Sequence, residues 1–429
     1  MREVKRTVPM YSFYDRTGFQ NYLEAQAARG WVLEKAGTVC WKFRRTEPRK
    51  LKFSVVYFPS ADFYDPAPGE GEQTFREFCE HSGWRFAASQ AQMQIFYNES
   101  PNPVPIDTDP VIEVENIHKS MKKSVLPGYW LLMVSAILQL ISQGISFFDR
   151  PVSYLSYDMN LYFLFFWPSM LLMCLIRIIC YHRWHNKAEE AAREGIFLET
   201  AGSQRLEACW GILALGGLAL VLVFGRSPFM AGAVILGILV ALGLIGAEIL
   251  TRETLKKKGY DAKANKVGTI AVAVVVMFLI VVVVTPVVVT IADNTTEWKK
   301  NELPLMLSDL MEEEHGTLVI ENTESALLGY VRTMQYTDRL GGGPELQYQL
   351  IHVKAGFLYE MCMNHLDIGN AWELVPAGGA PWGADRAWAC MNDEEIGGYV
   401  LCYEKYILSI WPSWEMTAEQ MAAVGSIFG

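Results

Sequence analysis

A chain of 429 residues with 51% hydrophobic and 20% charged side chains, and a mean hydropathy of +0.14, is more apolar than a soluble protein of two or three domains and points to membrane segments carrying soluble parts. The net charge of −10 is uneven: residues 1–125 carry 17 Lys and Arg against 16 Asp and Glu, residues 126–292 carry 13 against 10, and residues 293–429 carry 7 against 21. No segment supplies the basic surface that nucleic-acid binding needs, which excludes that class.

The opening "MREVKRTVPMYSFYDR" has no apolar core of a signal peptide. Residues 1–125 are therefore expected in the cytoplasm, with the first apolar run as an uncleaved anchor. "GWVLEKAGTVCWKF" (30–43) is then answered fifty-three residues later by "GWRFAASQAQMQIF" (83–96), so Gly30, Trp31 and Phe43 recur as Gly83, Trp84 and Phe96. Before the first phrase Phe19, Tyr22, Leu23 and Ala27 fall at helical spacing behind Asp15, a capping residue; before the second, Phe75, Phe78 and Cys79 repeat the pattern. Each helix ends at a Gly, the usual left-handed terminator. With extended runs at 4–13 and 51–58, residues 1–100 read β-α-β-β then α-β-β, an α+β domain with the pseudo-repeat of a ferredoxin-like fold. Trp31 and Trp84 are expected to pack helix ends onto a sheet, with a duplicated ligand pocket as the alternative. Cys40 and Cys79 form no CxxC and are expected to be buried thiols.

"PNPVPIDTDP" (101–110) is a linker. Residues 111–125 form a short amphipathic helix whose lysines are expected to face lipid headgroups. Five apolar runs follow, at 126–148, 160–181, 208–225, 229–250 and 268–292, each near the roughly 20 residues a bilayer requires. "GRSP" (225–228) divides the third from the fourth as a tight turn. Flanking loops hold 13 Lys and Arg on one side and 4 on the other. The positive-inside rule puts the N-terminus in the cytoplasm and residues 293–429 outside, a result that needs an odd number of spans. No ionisable residue stands at a helix centre; Arg177 and Glu248 lie near helix ends, and Arg177 is expected to snorkel. With no inverted repeat, no transport path is expected. Pro168 and Pro286 are expected to kink their helices. Small residues from Gly211 to Ala247 allow close packing within the third and fourth helices, or a homo-oligomer face. "YHRWH" (181–185) resembles a histidine pair for a metal, but an interfacial aromatic and basic belt explains it better.

Residues 293–429 read as a second α+β domain, outside the membrane. A helix is expected over 304–316, capped by Gly316, then strands in "TLVIEN", "ALLGYVRTMQYT" and "LQYQLIHV", a packing helix in "GFLYEMCMNHL", and a hairpin of "ADRAWACM" with "YVLCYEKYILSIWP" around "NDEEIGG". The final helix, 417–428, carries a capping box of Thr417 and Gln420. Cys390 and Cys402 flank the turn and are candidates for a disulfide, which an oxidising compartment permits; Cys362 is expected to be buried. There is no HExxH, GxSxG or P-loop, and the triple glycine at 341–343 lacks a phosphate-loop context. His315 beside Glu312–Glu314 reads as a solvated helix end. No catalytic, cofactor or metal-binding residue is therefore expected.

"FYDRTGFQNYLEAQAARGWVLEKAG", the second "FCEHSGW", "IFYN" and the Pro/Asp linker resemble an uncharacterised family of bacterial membrane proteins, mostly from Firmicutes, over about residues 8–125. The resemblance implies a domain of unknown function followed by transmembrane helices, often encoded beside PadR-like regulators, and carries no catalytic residues. The expected function is a non-enzymatic sensor or relay, with residues 1–110 binding a cytoplasmic protein. The alternatives are an accessory subunit of a transport or export system, which would purify with an ATPase, and a membrane enzyme with a dispersed site.

Overall fold

The computed structural model describes residues 3–37, 40–200, 205–224, 228–296, 303–311, 316–337, 343–369, 371–392 and 395–429. The expected turn at 225–228, the cluster at 312–315 and most of the triple glycine at 341–343 lie outside them. The chain divides into two compact units. One comprises Met1–Leu138, Trp167–Gly216 and Leu239–Leu279; the other comprises Gln139–Phe166, Gly217–Ile238 and Ile280–Gly429.

In the first unit, β1 (Val4–Thr7), α1 (Arg16–Ala28), β2 (Trp31–Ala36) and β3 (Trp41–Arg45) are followed by β4 (Lys52–Tyr57), α2 (Glu70–His81), β5 (Arg85–Gln90) and β6 (Met93–Asn98). The Asp15 carboxylate caps α1 by accepting from the Gly18 N–H at 2.9 Å. Gly30 and Gly83 end the two helices with φ of 78° and 86°, the left-handed region that a side chain disfavours. Both phrases also carry an irregularity at the same place, between Leu33 and Lys35 and between Phe86 and Ala88. The repeat is thus a repeated local geometry. It does not build one ferredoxin-like sheet. Two antiparallel three-stranded sheets form, ordered β1-β3-β2 and β4-β6-β5, each a split β-α-β with its third strand between the first two. The edge strands β2 and β5 lie against one another.

The linker does not swing free, because the Trp84 indole N–H donates to the Val104 carbonyl at 2.8 Å and Ile106 packs beside Val56, Cys79 and Phe96. Helix α3 (Pro110–Ser124) also turns toward the domain. Lys123 Nζ donates to the Ala61 carbonyl at 2.9 Å and pairs with Asp62 at 3.4 Å, so this lysine serves the β4–α2 loop and not headgroups.

Helix α3 leads into α4 (Leu126–Asp149), and α5 (Pro151–Leu155), α6 (Asp158–Arg193), α7 (Arg205–Phe224), α8 (Pro228–Lys257) and α9 (Ala262–Thr296) follow. Four described helical stretches are long and apolar enough to cross a membrane: Pro110–Asp149, Asp158–Arg193, Arg205–Val223 and Ala262–Leu279. Leu131, Leu138, Phe165, Ile212 and Leu213 stand open on them, an apolar surface that suits lipid and not water. Helix α8 runs through the fourth apolar run, where part of its side chains lie outside the described residues. Arg177 does not snorkel; it pairs with Glu207 in the first turn of α7. A Cβ at Gly211, Gly216, Gly237, Gly243 or Gly246 would meet nothing within 4 Å among the described residues, whereas one at Gly217 would meet the Tyr162 ring at 3.3 Å.

In the second unit β7 (Gly316–Glu324), β8 (Leu328–Tyr336), β9 (Glu345–Val353), α10 (Tyr359–Asn364), β10 (Glu373–Ala377), β11 (Arg386–Asn392), β12 (Glu395–Cys402), β13 (Tyr406–Pro412) and α11 (Ala418–Phe428) complete the chain. The strands form one antiparallel sheet ordered β10-β11-β12-β13-β9-β8-β7. Alternate residues point to opposite faces. Leu350, Leu401 and Leu408 face a core with Trp382, Val424 and Phe428, while Ile351, Val400 and Ile407 face a second core with Cys362, Val152, Tyr154 and Leu155. The sheet is therefore buried on both sides, once by α11 and once by α10 with α5. Two expectations fail here. Only Leu307–Asp309 is helical in the described part of 304–316, as one 3-10 turn, because Gly316 already belongs to β7, where it pairs with Tyr336. "YVLCYEKYILSIWP" is not one strand but the end of β12, a turn and β13.

Cys390 and Cys402 are both free and buried. The register explains this: Cys390 stands opposite Gly398, whereas Cys402 stands opposite Arg386, four residues farther along β11. At about 3.4 Å per residue that offset is beyond the reach of a disulfide.

Candidate functional site in the first unit

The two repeats differ where it matters most, at the helix–sheet contact. In the first, Phe19 and Leu23 of α1 and Trp41 of β3 are all buried, with the Phe19 and Trp41 rings stacked at 5.1 Å. Fifty-three residues on, the same three places hold Glu72, Arg76 and Gln94. An apolar contact has become a polar one of the same outline. Arg76 Nη2 donates to Glu72 at 2.5 Å, to Gln94 at 2.9 Å and to Ser89 at 3.3 Å, and its guanidinium lies 3.8 Å from the centre of the Phe86 ring. Glu72 is 6% exposed and Gln94 fully buried. Burial pushes the Arg76 guanidinium down, against the pull of Glu72. Such a network costs desolvation that apolar residues would avoid. It is present in the second repeat and not in the first.

This network opens on a cavity of about 690 Å³. Its walls are the β2–β3 turn with Cys40, β5 with Ser89 and Gln90, the Ala61–Pro68 loop, α2, and the end of α8 with Arg252, Lys256 and Lys257. The volume falls in the range of small-molecule sites, about 300–1,000 Å³. The loop is fastened to the helix ends: the Asn265 amide donates to the Tyr64 carbonyl at 2.8 Å, and the Phe63 ring lies under the Arg252 guanidinium at 3.9 Å. The end of α8 thus forms one wall of a cavity in the repeat domain.

None of the six repeat residues lines this cavity. Phe43 and Phe96 are fully buried in the middle strands of separate sheets. Trp84 is 3% exposed, but Trp31 is half-exposed beneath Lys5 and Arg45, so only one of the two tryptophans is a core residue. Cys79 is buried, its thiol pushed up to about 12 by desolvation, whereas Cys40 is half-buried. His185 stacks on His118 at 4.0 Å, an aromatic role. Among the described residues no group of three or more potential ligands gathers for a metal. The polar triad was within reach of the sequence, since superposing the repeats shows the exchange of Phe19, Leu23 and Trp41 for Glu72, Arg76 and Gln94. The contribution of Arg252 was not, because nothing local ties it to a loop nearly 190 residues earlier.

A smaller cavity of about 270 Å³ is lined by Arg16, Trp84, Asp107 and Glu113. Arg16 pairs with Glu113 at 2.8 Å. Burial raises Asp107 from 3.8 to about 6, with Arg16 opposing. The folded state therefore prefers the neutral acid. The stability this confers is complete below the unfolded value and is lost as pH rises through about 6. Asp107→Asn is expected to stabilise the unit by about 1–2 kcal/mol at pH 7.5 and to flatten its dependence between pH 4 and 7. Thermal unfolding of the purified protein across that range measures both; an unchanged profile would show that Asp107 stays hydrated.

Residues 17–128 match the family model described as "Protein of unknown function (DUF2812)". The chain therefore carries a domain of unknown function, and the match spans the repeats and the linker but not the α8 wall of the cavity. No curated protein and no solved structure matches the chain.

Proposed function

We propose that this protein is a non-enzymatic, five-span membrane relay, with the repeat domain in the cytoplasm and the seven-stranded sheet outside the cell. One observation carries the reading: each soluble unit takes membrane-helix segments into its own interior. In the first, the end of α8 walls the cavity and the Thr200 hydroxyl, beyond α6, donates to Asp15 at the cap of α1 at 2.9 Å. In the second, the α4–α6 connection enters the sheet's core, and Ser153 donates to Glu321 at 2.5 Å. Domains that merely hung from linkers would not need such seats. A rotation or shift of α4, α6 or α8 then has something to move at either end, which is what a two-state relay requires. The open edge of β1, beside exposed Val4, Val8 and Met10, suits a cytoplasmic protein partner, and the open glycines of α7 and α8 suit a second copy of the chain.

The test is thiol labelling in intact cells with a membrane-impermeant maleimide, using single cysteines at Ser60 and Ser413, both exposed, in a background without the native cysteines. Labelling at Ser413 alone is the expected result. Labelling at neither until lysis would place both units in the cytoplasm and end the relay reading in favour of an accessory subunit.

A further inference from the structure

The geometry points to a ligand for the cavity walled by α8: we propose that it binds a phosphate-bearing anion, clasped by Arg252 of α8 with Lys256, Lys257 and Lys35. This deepens the relay reading by naming the chemistry of its cytoplasmic junction.

Arg252 is the first reason. It is 5% exposed, it lines the cavity, and its guanidinium makes no hydrogen bond or ion pair among the described residues, with Nε fully buried and unpartnered. Among the described residues the guanidinium rests on the Phe63 face at 3.9 Å, which orients its plane without satisfying a single N–H. An arginine carries five donors in a fixed fork, and burying them unanswered is costly. A tetrahedral anion answers that fork two bonds at a time.

The charge pattern is the second reason. Three of the acids in the wall are already paired: Glu34 with Lys42 at 2.6 Å, Glu72 with Arg76 at 2.5 Å, and Asp62 with Lys123 at 3.4 Å. Asp65 accepts the Asp62 N–H at 3.1 Å. What remains facing the space is Arg252, Lys35, Lys256 and Lys257 against Asp65 and Glu253, a cationic surplus. Burial also pushes the Lys256 ammonium down, the mark of a cation short of solvent. A multiply charged anion would relieve both groups together. Arg76 and Ser89, which also line the cavity, leave hydrogen-bonding capacity for the rest of the molecule.

The anion has two sources, a soluble phosphate compound or the headgroup of an acidic lipid, since α8 rises from this site into an apolar run. Cys40 reports on both, being a half-buried free thiol in the cavity wall. In full-length protein with Cys180→Ser and Cys209→Ser, the alkylation rate of Cys40 is measured in neutral detergent with and without inorganic phosphate, and in phosphatidylcholine nanodiscs with and without phosphatidylglycerol. At least one probe is expected to slow alkylation about tenfold at ten times its Kd, because only empty sites react. Phosphate protection in detergent identifies a soluble ligand, and protection by phosphatidylglycerol alone a headgroup. Arg252→Gln should abolish the effect and Arg252→Lys restore part of it. Lys257→Gln, at an exposed position that leaves the fold intact, should weaken protection several-fold. Absence of protection by either probe, or equal protection in Arg252→Gln and Lys257→Gln, overturns the proposal. The assay is blind to topology, so its failure and that of the relay reading are separate results.

Discussion

Leu155→Ala is expected to destabilise the seven-stranded sheet by about 2–4 kcal/mol, although the residue lies more than 150 positions before the sheet begins. Leu155 is 6% exposed and shares a core with Leu328, Ile351, Val400 and Ile407. Its carbonyl accepts the buried Ser325 hydroxyl at 2.7 Å, and beside it the Ser156 and Thr323 hydroxyls meet at 2.5 Å. Truncation leaves a cavity that the neighbouring strands cannot close, because cross-strand pairing fixes their spacing. For the same reason residues 293–429 expressed alone should expose the face that Val152, Tyr154 and Leu155 cover, and should aggregate. Urea unfolding of the full-length protein, followed by proteolysis of the sheet, gives the first quantity. A loss below about 1 kcal/mol would mean that the loop only lies on the sheet's surface.

Trp41→Ala should cost the repeat domain about 3–5 kcal/mol. Trp41 is 1% exposed, stacks on Phe19, and donates its indole N–H to Gln90 of the other sheet at 3.3 Å, so one side chain fills the first repeat and reaches the second. The equivalent experiment in the second repeat has the opposite sign of interest. Exchanging Glu72, Arg76 and Gln94 together for Phe, Leu and Trp rebuilds the apolar contact of the first repeat and should leave stability equal or higher, whereas Arg76→Leu alone strands Glu72 in the interior and should destabilise by about 3–5 kcal/mol. Thermal denaturation of the three variants in one detergent separates these cases. If the triple exchange unfolds the domain, the polar triad is structural.

The repeat, its helices, their glycine terminators and the apolar runs were legible in the chain because they rest on local rules. Helical spacing before Gly30 and Gly83, and lengths near a bilayer's thickness, need no distant partner. The capping box of Thr417 and Gln420 forms for the same reason, with both bonds confined to four residues. What failed was non-local. Helical spacing at 304–316 lost to the pairing of Gly316 with Tyr336, and the proposed cysteine pair lost to a register that sets Cys402 opposite Arg386, four residues from Cys390. The choice of two three-stranded sheets over a single ferredoxin-like one lay in which strand edges meet, a decision no single strand encodes. Hydropathy marked Arg177 as a residue near a helix end, but only the approach of α7 supplied Glu207. The sequence by itself determined the elements, the duplication and the membrane-compatible lengths, since each depends on neighbours a few residues apart. Tertiary structure alone decided that the 151–155 turn belongs to the sheet's core and that Arg252 completes a cavity begun at Glu34, because burial and charge balance are settled by residues that chain distance keeps apart.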